Sequence, residues 1–287
     1  MKLVTQDYSC GTSSSILDYD DGKYAIVVSE DEWKHVLDAE DDLLLVGHDF
    51  LWFMWNTPEK IAMWKSFPHR VAVWCFERVD AIVPAWAQKS HHSISCIKQF
   101  ADEIYACDED DCDKYGYKWL PQWASRRFYD QRNQSVSEDR MLFSGQAGKP
   151  EYHARNALLS SITSDPSISE KIKISNISRS LPWDSYIENF LSHRFIINPV
   201  GVLRAFNTRA YEAIYSGRIL LQHVVGEYSR HQNMLEGCPR VFYFNDYNGL
   251  KSIIESNSFE NLENTSYDLF ESNSLYARMK SLGIEIK

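Results

Sequence analysis

The segment Phe195–Gln222, FIINPVGVLRAFNTRAYEAIYSGRILLQ, restricts the fold more than any other part of the chain. Phe195, Ile196 and Ile197 form an apolar run without polar alternation, and such runs belong to strands covered on both faces. The run stops at Asn198-Pro199, because Pro has no N–H with which to extend a ladder. A loop from Val200 to Asn207 follows, then a helix with Thr208 as expected N-cap and Gly217 as its C-terminal stop. The strand Arg218–His223 comes next. Strand, helix and strand in this order imply a parallel α/β unit.

The start of that helix is also where chemistry is expected. Free backbone N–H groups and the macrodipole favour an anion there, and Arg209 in the first turn adds a full positive charge. Glu212 lies three residues on and shares a face with Arg209, while Tyr211, Ile214 and Tyr215 cover another. Beside a phosphate site, such a carboxylate can accept hydrogen bonds from sugar hydroxyls while the arginine holds a diphosphate. The competing reading is an ordinary Arg–Glu pair on a solvated helix face.

The same alternation runs through the rest of the chain. Strands are expected at residues 2–6, Tyr24–Val28, Leu43–Val46, Val71–Phe76, Ile104–Cys107, Lys118–Leu120, Met141–Phe143, Lys171–Ser175 and Val241–Phe244. Helices are expected at Asp31–Leu37 with Ser29 as cap, from Lys89 onward, and at His153–Ser161, Trp183–Leu191, Leu250–Glu255 and Tyr267–Leu282. The polar stretch Asp130–Asp139 reads as a linker. The expected organisation is a first domain over residues 1–130, a linker over 131–140, a second domain over 141–265 and a terminal helical segment over 266–287.

Ligands gather at the carboxyl ends of strands in such sheets. Strand Leu43–Val46 runs into His48 and Asp49, the leading candidates for a general base. Glu77 and Asp80, with Arg78 to neutralise them, are second candidates, and the small-residue loop at Gly11 admits close approach of a substrate. His91 and His92 are adjacent, so at most one lines a site. In the second half, Gly145, Gly148, Lys149 and Arg155 surround a strand-to-helix turn and could wall a diphosphate, although the P-loop pattern is absent.

Composition narrows the partners. Residues 1–137 carry 14 Lys and Arg against 23 Asp and Glu, whereas residues 138–287 carry 16 against 17. The acidic first half argues against bulk nucleic-acid affinity without excluding a local basic groove. Eight of the nine Trp lie in residues 33–123. Trp52, Trp55, Trp86 or Trp123 could stack on an acceptor, or pack as core, the duller explanation and the one favoured for most of them. Cys107 and Cys112 flank an acidic run, Asp108–Asp111, read as a solvated loop, and all six cysteines are expected as free thiols. No apolar run spans a membrane and MKLVTQDYS has no basic-then-apolar signal pattern, so a cytoplasmic location is expected.

Asn198-Pro199-x-Gly201, then Thr208-Arg209-Ala-Tyr211-Glu212-Ala213 and Gly217, resembles the donor-binding segment of GT-B glycosyltransferases, nearest the CgeB-like and exostosin-like groups. Met234-Leu235-Glu236-Gly237, Val241–Phe244 and Leu250–Ile254 resemble the end of that domain. The resemblance implies two Rossmann-like domains facing across a cleft, with the terminal helix crossing back. It implies a metal-independent enzyme that moves a sugar from a UDP- or GDP-linked donor to a carbohydrate or other hydroxyl acceptor, with no cofactor beyond that co-substrate. Donor contacts would fall on Gly145, Lys149, Arg155, Asn198, Arg204, Asn207, Thr208, Arg209 and Glu212; the acceptor side would use Gly11, Glu77, Asp80, His91 and Trp123, with His48 or Asp49 as base. Many retaining members carry a second Glu where this chain has Arg204, so the retaining outcome does not carry over. Two alternatives are a hydroxymethylated DNA base as acceptor, hinted at by Arg126 and Arg127 beside Trp123, and a nucleotide-binding module without catalysis.

Overall fold

The structure, a computed structural model, describes residues 1–6, 15–19, 25–76, 78, 79, 84–176, 182–201, 205–226, 229–256, 259, 262, 263 and 265–283. The chain divides into two compact units, one of residues 1–122 with 278–287 and the other of residues 123–277.

The first unit holds a six-stranded parallel sheet of β1 (Lys2–Gln6), β2 (Ala25–Val28), β3 (Leu43–Val46), β4 (Val71–Cys75), β5 (Glu103–Ala106) and β6 (Lys118–Trp119), in the order β2-β1-β3-β4-β5-β6. Every residue of β3 and β4 is buried, as the unbroken apolar runs LLLV and VAVWC require of central strands covered on both faces. One cover is aromatic: Trp64 stacks on Trp33 and on Phe100, with ring centroids 6.2 and 5.4 Å apart. The LWFMW segment joins this core through Leu51, Phe53, Met54 and Trp55, with a single 3₁₀ turn, Trp52–Met54, as its helical part.

Three expectations in this unit need correction. The short helix expected at Asp31–Leu37 is present as a 3₁₀ helix, Trp33–Asp38, but its N-cap position is Glu32 and not Ser29. The helix expected from Lys89 begins at Pro84 and runs to Ile97, because Pro is well placed in a first turn. Asp108–Asp111 is not a solvated loop. Asp108 caps the helix Glu109–Tyr115 by accepting the Asp111 N–H, Asp111 accepts the Val79 N–H at 2.8 Å, and Asp108, Glu109 and Asp111 are buried. Carboxylates in a first helical turn are favoured by the dipole, and these also receive main-chain donors. Arg78 pairs with Asp110 at 2.9 Å.

The second unit holds a five-stranded parallel sheet of β7 (Met141–Gly145), β8 (Ile172–Asn176), β9 (Phe195–Asn198), β10 (Ile219–His223) and β11 (Val241–Phe244), in the order β11-β10-β9-β7-β8. Residues 131–140 are tied to this unit: Ser137 and Glu138 both donate to the Ser192 carbonyl, and Arg218 donates to the carbonyls of Gln134 and Leu191. The expected helix Tyr267–Leu282 is two, Ser266–Asn273 and Leu275–Ser281, broken at the extended Ser274. The five described cysteines are free, and no described helix is long and apolar enough to cross a membrane.

Candidate functional site

In the second unit the strand order reverses between β7 and β9. From β7 the chain crosses to β8 on one side, and it then returns to place β9 on the other. Loops leaving the carboxyl ends of such a pair diverge and leave a crevice, the usual ligand position of open α/β sheets. β7 leads into the helix His153–Ser164 and β9 into the helix Thr208–Tyr215, and the first turn of each supplies an arginine at this point.

Arg155 is 4% exposed, yet its partners are uncharged. Its Nη1 donates to the Gln146 carbonyl at 2.8 Å and its Nη2 reaches the Pro199 carbonyl at 3.5 Å, while its Nε has no partner. The guanidinium lies 4.3 Å from the Tyr152 ring centroid. Half-buried Arg209 donates from Nη1 to the Ser144 carbonyl at 2.8 Å and from Nε to Asn198 Oδ1 at 3.2 Å. Both guanidiniums sit 6.0 Å from the Phe143 ring. Burial first, and Arg209 second, bring the Arg155 pKa down to about 9. Among the described residues neither arginine forms an ion pair. Two adjacent cations are thus held by carbonyls and a carboxamide without a counter-charge, an arrangement whose desolvation cost an anion would lower.

The neighbouring groups sharpen that picture. A Cβ on Gly145 would stand 2.2 Å from Arg209 Nη1, so the guanidinium occupies the space that glycine leaves. Lys149 is half-buried in a loop that Asn156 clamps, accepting the Gly148 N–H at 3.0 Å and donating to the Lys149 carbonyl at 2.7 Å. The N-cap of the second helix is Asn207, not Thr208: Asn207 Oδ1 accepts the Arg209 N–H at 3.1 Å, which leaves Thr208 as the first helical residue. Glu212 is 3% exposed, so the solvated Arg–Glu face is not what the chain builds. Tyr186 donates its hydroxyl to Glu212 Oε2 at 2.5 Å. Burial raises the Glu212 pKa to about 7 against the opposing pull of Tyr186, Arg209 and the Thr208 hydroxyl. Arg204 lies outside the described residues.

The first unit has the same reversal, between β1 and β3, and β3 ends there in Gly47-His48-Asp49. His48 is wholly buried, with Nε2 2.7 Å from Ser90 Oγ. Ser90 Oγ also reaches the Arg78 carbonyl at 3.3 Å, and His48 Nδ1 has no partner among the described residues. Burial lowers the His48 pKa and keeps the ring neutral. Asp49 is half-buried, and its Oδ1 has no partner among the described residues. Gly11, Glu77 and Asp80 lie outside the described residues. His91 and His92 are exposed, the latter edge-on to Trp52 at 4.9 Å. Trp55 and Trp123 are buried core, and Trp123 belongs to the second unit. Arg126 and Arg127 pair with Asp130 and Asp184.

Four residues of the second crevice escaped the sequence reading. Ser144 contributes only a carbonyl, and Tyr186 is one aromatic on a helix rich in them. Asn156 looks like any polar helix residue. Gln222 did leave a signal, a carboxamide inside the otherwise apolar run ILLQH.

Each unit is thus a Rossmann-like parallel sheet with a strand-order reversal, and the second places two arginines there. A solved alpha-glucosyltransferase in complex with UDP and a 13-mer DNA containing a central A:G mismatch aligns over 98% of both chains, with a TM-score of 0.57 and 10% identity. The glycosyltransferase SnogD from Streptomyces nogalater aligns over 78% of this chain and 67% of its own, at TM-score 0.37 and 9% identity. The kitacinnamycin glycotransferase aligns over 99% and 95%, at TM-score 0.40 and 8% identity. No family model and no curated protein sequence matches the chain. The first likeness shows the fold, GT-B, built of two Rossmann-like units.

Proposed function

We propose that this protein is a glycosyltransferase that takes a sugar from a nucleotide-sugar donor, with the donor diphosphate bound at the β7–β9 reversal. The observation that carries this reading is the pair Arg155 and Arg209, side by side at the strand ends and held only by neutral acceptors. The resemblance of the Asn198–Gly217 segment to CgeB-like and exostosin-like donor sites points the same way.

In the reaction the bond between the sugar's anomeric carbon and the diphosphate breaks, and its electron pair leaves with the phosphate. Arg209, Arg155 and Lys149 stabilise that growing charge more in the transition state than in the bound donor. Glu212, its rotamer held by Tyr186, accepts a hydroxyl of the donor. The acceptor oxygen bonds to the anomeric carbon as its proton passes to a base. Of the two candidates we favour Asp49, because His48 is wholly buried. UDP is the first nucleotide to try, since the neighbouring alpha-glucosyltransferase carries it.

The test is a thermal-shift screen against UDP-, GDP-, ADP-, CDP- and TDP-linked sugars, with and without EDTA. A ligand that binds only the folded chain raises its melting temperature. One nucleotide family should stabilise the wild type and not Arg209→Ala. No shift with any donor, or an equal shift in Arg209→Ala, overturns the assignment. A second reading, with a hydroxymethylated base in DNA as acceptor, is favoured by the DNA bound to that same neighbour. It is tested by mass spectrometry of a hydroxymethylated oligonucleotide after incubation with the donor, beside a carbohydrate panel.

A further inference from the structure

Asn198, the last residue of β9, and Gln222 on β10 are direct cross-strand partners, and both are buried. Asn198 Nδ2 donates to Gln222 Oε1 at 2.8 Å. Gln222 Nε2 spends its protons on two main-chain carbonyls, those of Asn198 at 3.2 Å and His223 at 2.8 Å. Only one orientation of each amide satisfies these contacts. Turning Gln222 over would set its oxygen against two carbonyls, and turning Asn198 over would set an N–H against the Arg209 Nε–H. The end of the chain of bonds is Asn198 Oδ1, an uncharged acceptor aimed at Arg209 Nε.

A carboxylate at position 198 would hold Arg209 more strongly and cancel its charge. The chain instead uses a carboxamide, and it locks that carboxamide with a second one that does not touch Arg209. Nη2 of Arg209 makes no hydrogen bond to a described residue.

We propose that Asn198 and Gln222 are positioning residues, a neutral carboxamide relay that fixes the roll of the Arg209 guanidinium while leaving its charge uncommitted for the donor diphosphate. This rests on the donor site proposed above and adds to it how that site is aimed. Gln222 acts only through Asn198, and Asn198 only through Arg209, so their effect on anion binding must pass through the arginine.

The experiment is a double-mutant cycle read by calorimetric titration of inorganic pyrophosphate. Gln222→Met keeps the side-chain length and removes the three bonds that the Gln222 side chain makes, so that nothing from β10 fixes the Asn198 amide. It should weaken pyrophosphate by about tenfold in the wild-type background. In an Arg209→Lys background, where the charge remains but no Nε–H faces Asn198, the same change should cost less than twofold. A residue needed only for packing would cost the same in both backgrounds, and that result overturns the relay. Asn198→Asp is the second variant, similar in size and provided with a cation to pair with, so it does not depend on Gln222→Met folding. It should weaken pyrophosphate by at least tenfold with the melting temperature held. Wild-type affinity in Asn198→Asp refutes the need for a neutral acceptor. If the wild-type protein itself takes no pyrophosphate, the phosphate site falls and the relay with it; if it binds and the variants do not differ from it, only the relay falls.

Discussion

Gly145→Ala is the smallest change that should silence the site while sparing the fold. A Cβ at this position would meet Arg209 Nη1 at 2.2 Å, where ordinary contact begins at 3.4 Å, so the guanidinium must retreat by about 1.2 Å. The backbone offers no objection, since Gly145 is not among the residues with positive φ. What moves is the tip of a flexible side chain, and the bond that breaks is the 2.8 Å contact from Nη1 to the Ser144 carbonyl. A hydrogen bond to a charged group is worth about 1.5–3 kcal/mol, and replacing Gly by Ala in an allowed conformation returns roughly 0.4–1 kcal/mol through the unfolded chain. The net loss of stability is then about 1–2 kcal/mol, a fall in Tm of only a few degrees for a domain of this size. The effect on turnover is of another order, because misplacing a catalytic group by about 1 Å costs roughly 10²-fold. Gly116→Ala, in the first unit, is the control. Its φ of +69° strains any side chain, but nothing lies within 4 Å of the new methyl, so stability should fall with donor binding kept. Donor turnover and thermal unfolding measured on both variants decide the matter. Wild-type turnover in Gly145→Ala would mean that Arg209 does not act from the position it occupies here.

Glu212 gives a prediction in pH. Its pKa is raised from 4.5 to about 7 in the folded chain, so between those values the folded state holds a proton that the unfolded state has released. Stability must therefore fall as pH rises through that window, by about 3 kcal/mol at most, and Glu212→Gln should flatten the dependence; a Tm profile from pH 4.5 to 8 that is identical in both proteins refutes the burial argument. Asp49→Asn should lower kcat by about 10²-fold or more while leaving the donor-induced thermal shift unchanged, since a general base acts on the acceptor. A variant that loses the donor shift instead would place Asp49 in binding.

Legibility in the sequence followed the range of the interaction concerned. β3, β11 and the helix Trp183–Leu191 stand where the sequence pattern puts them, because an unbroken apolar run and amphipathic spacing are local patterns. Arg209 and Glu212 were legible as a pair three residues apart, but the meaning of the pair was not. Whether Glu212 faces water or the half-buried Tyr186 depends on how the helix at 183–191 meets the helix at 208–215, and no spacing within either helix encodes that. The N-cap moved from Thr208 to Asn207 because both residue types cap well, and only the geometry chooses between them. Asp108–Asp111 misled for a similar reason: an acidic run is normally a solvated surface, yet here two partners 32 residues away, Val79 N–H and Arg78, receive it. Strand order lay beyond reach altogether. Alternation implies parallel strands, but it does not say that β9 lies beside β7, which is what brings Arg155 and Arg209 together.

The two units share a strand-order reversal and differ in what they place there. The first puts Asp49 and a neutral His48 at its reversal, within a half of the chain that carries 23 acids against 14 bases; the second puts two arginines at its reversal, within a half that is nearly balanced. The glycosyl transfer proposed above would need both chemistries, a cationic end for a departing diphosphate and a basic end for an acceptor proton. On a single sheet edge the two would neutralise one another, as Arg78 and Asp110 do at 2.9 Å. Among the described residues Asp49 Oδ1 has no hydrogen-bond donor, and neither Arg155 nor Arg209 forms an ion pair, although Glu212 lies within the field of Arg209. The proposed role of the carboxamide pair Asn198 and Gln222 then has a physical reason, since a carboxylate in the place of Asn198 would neutralise the arginine that it orients.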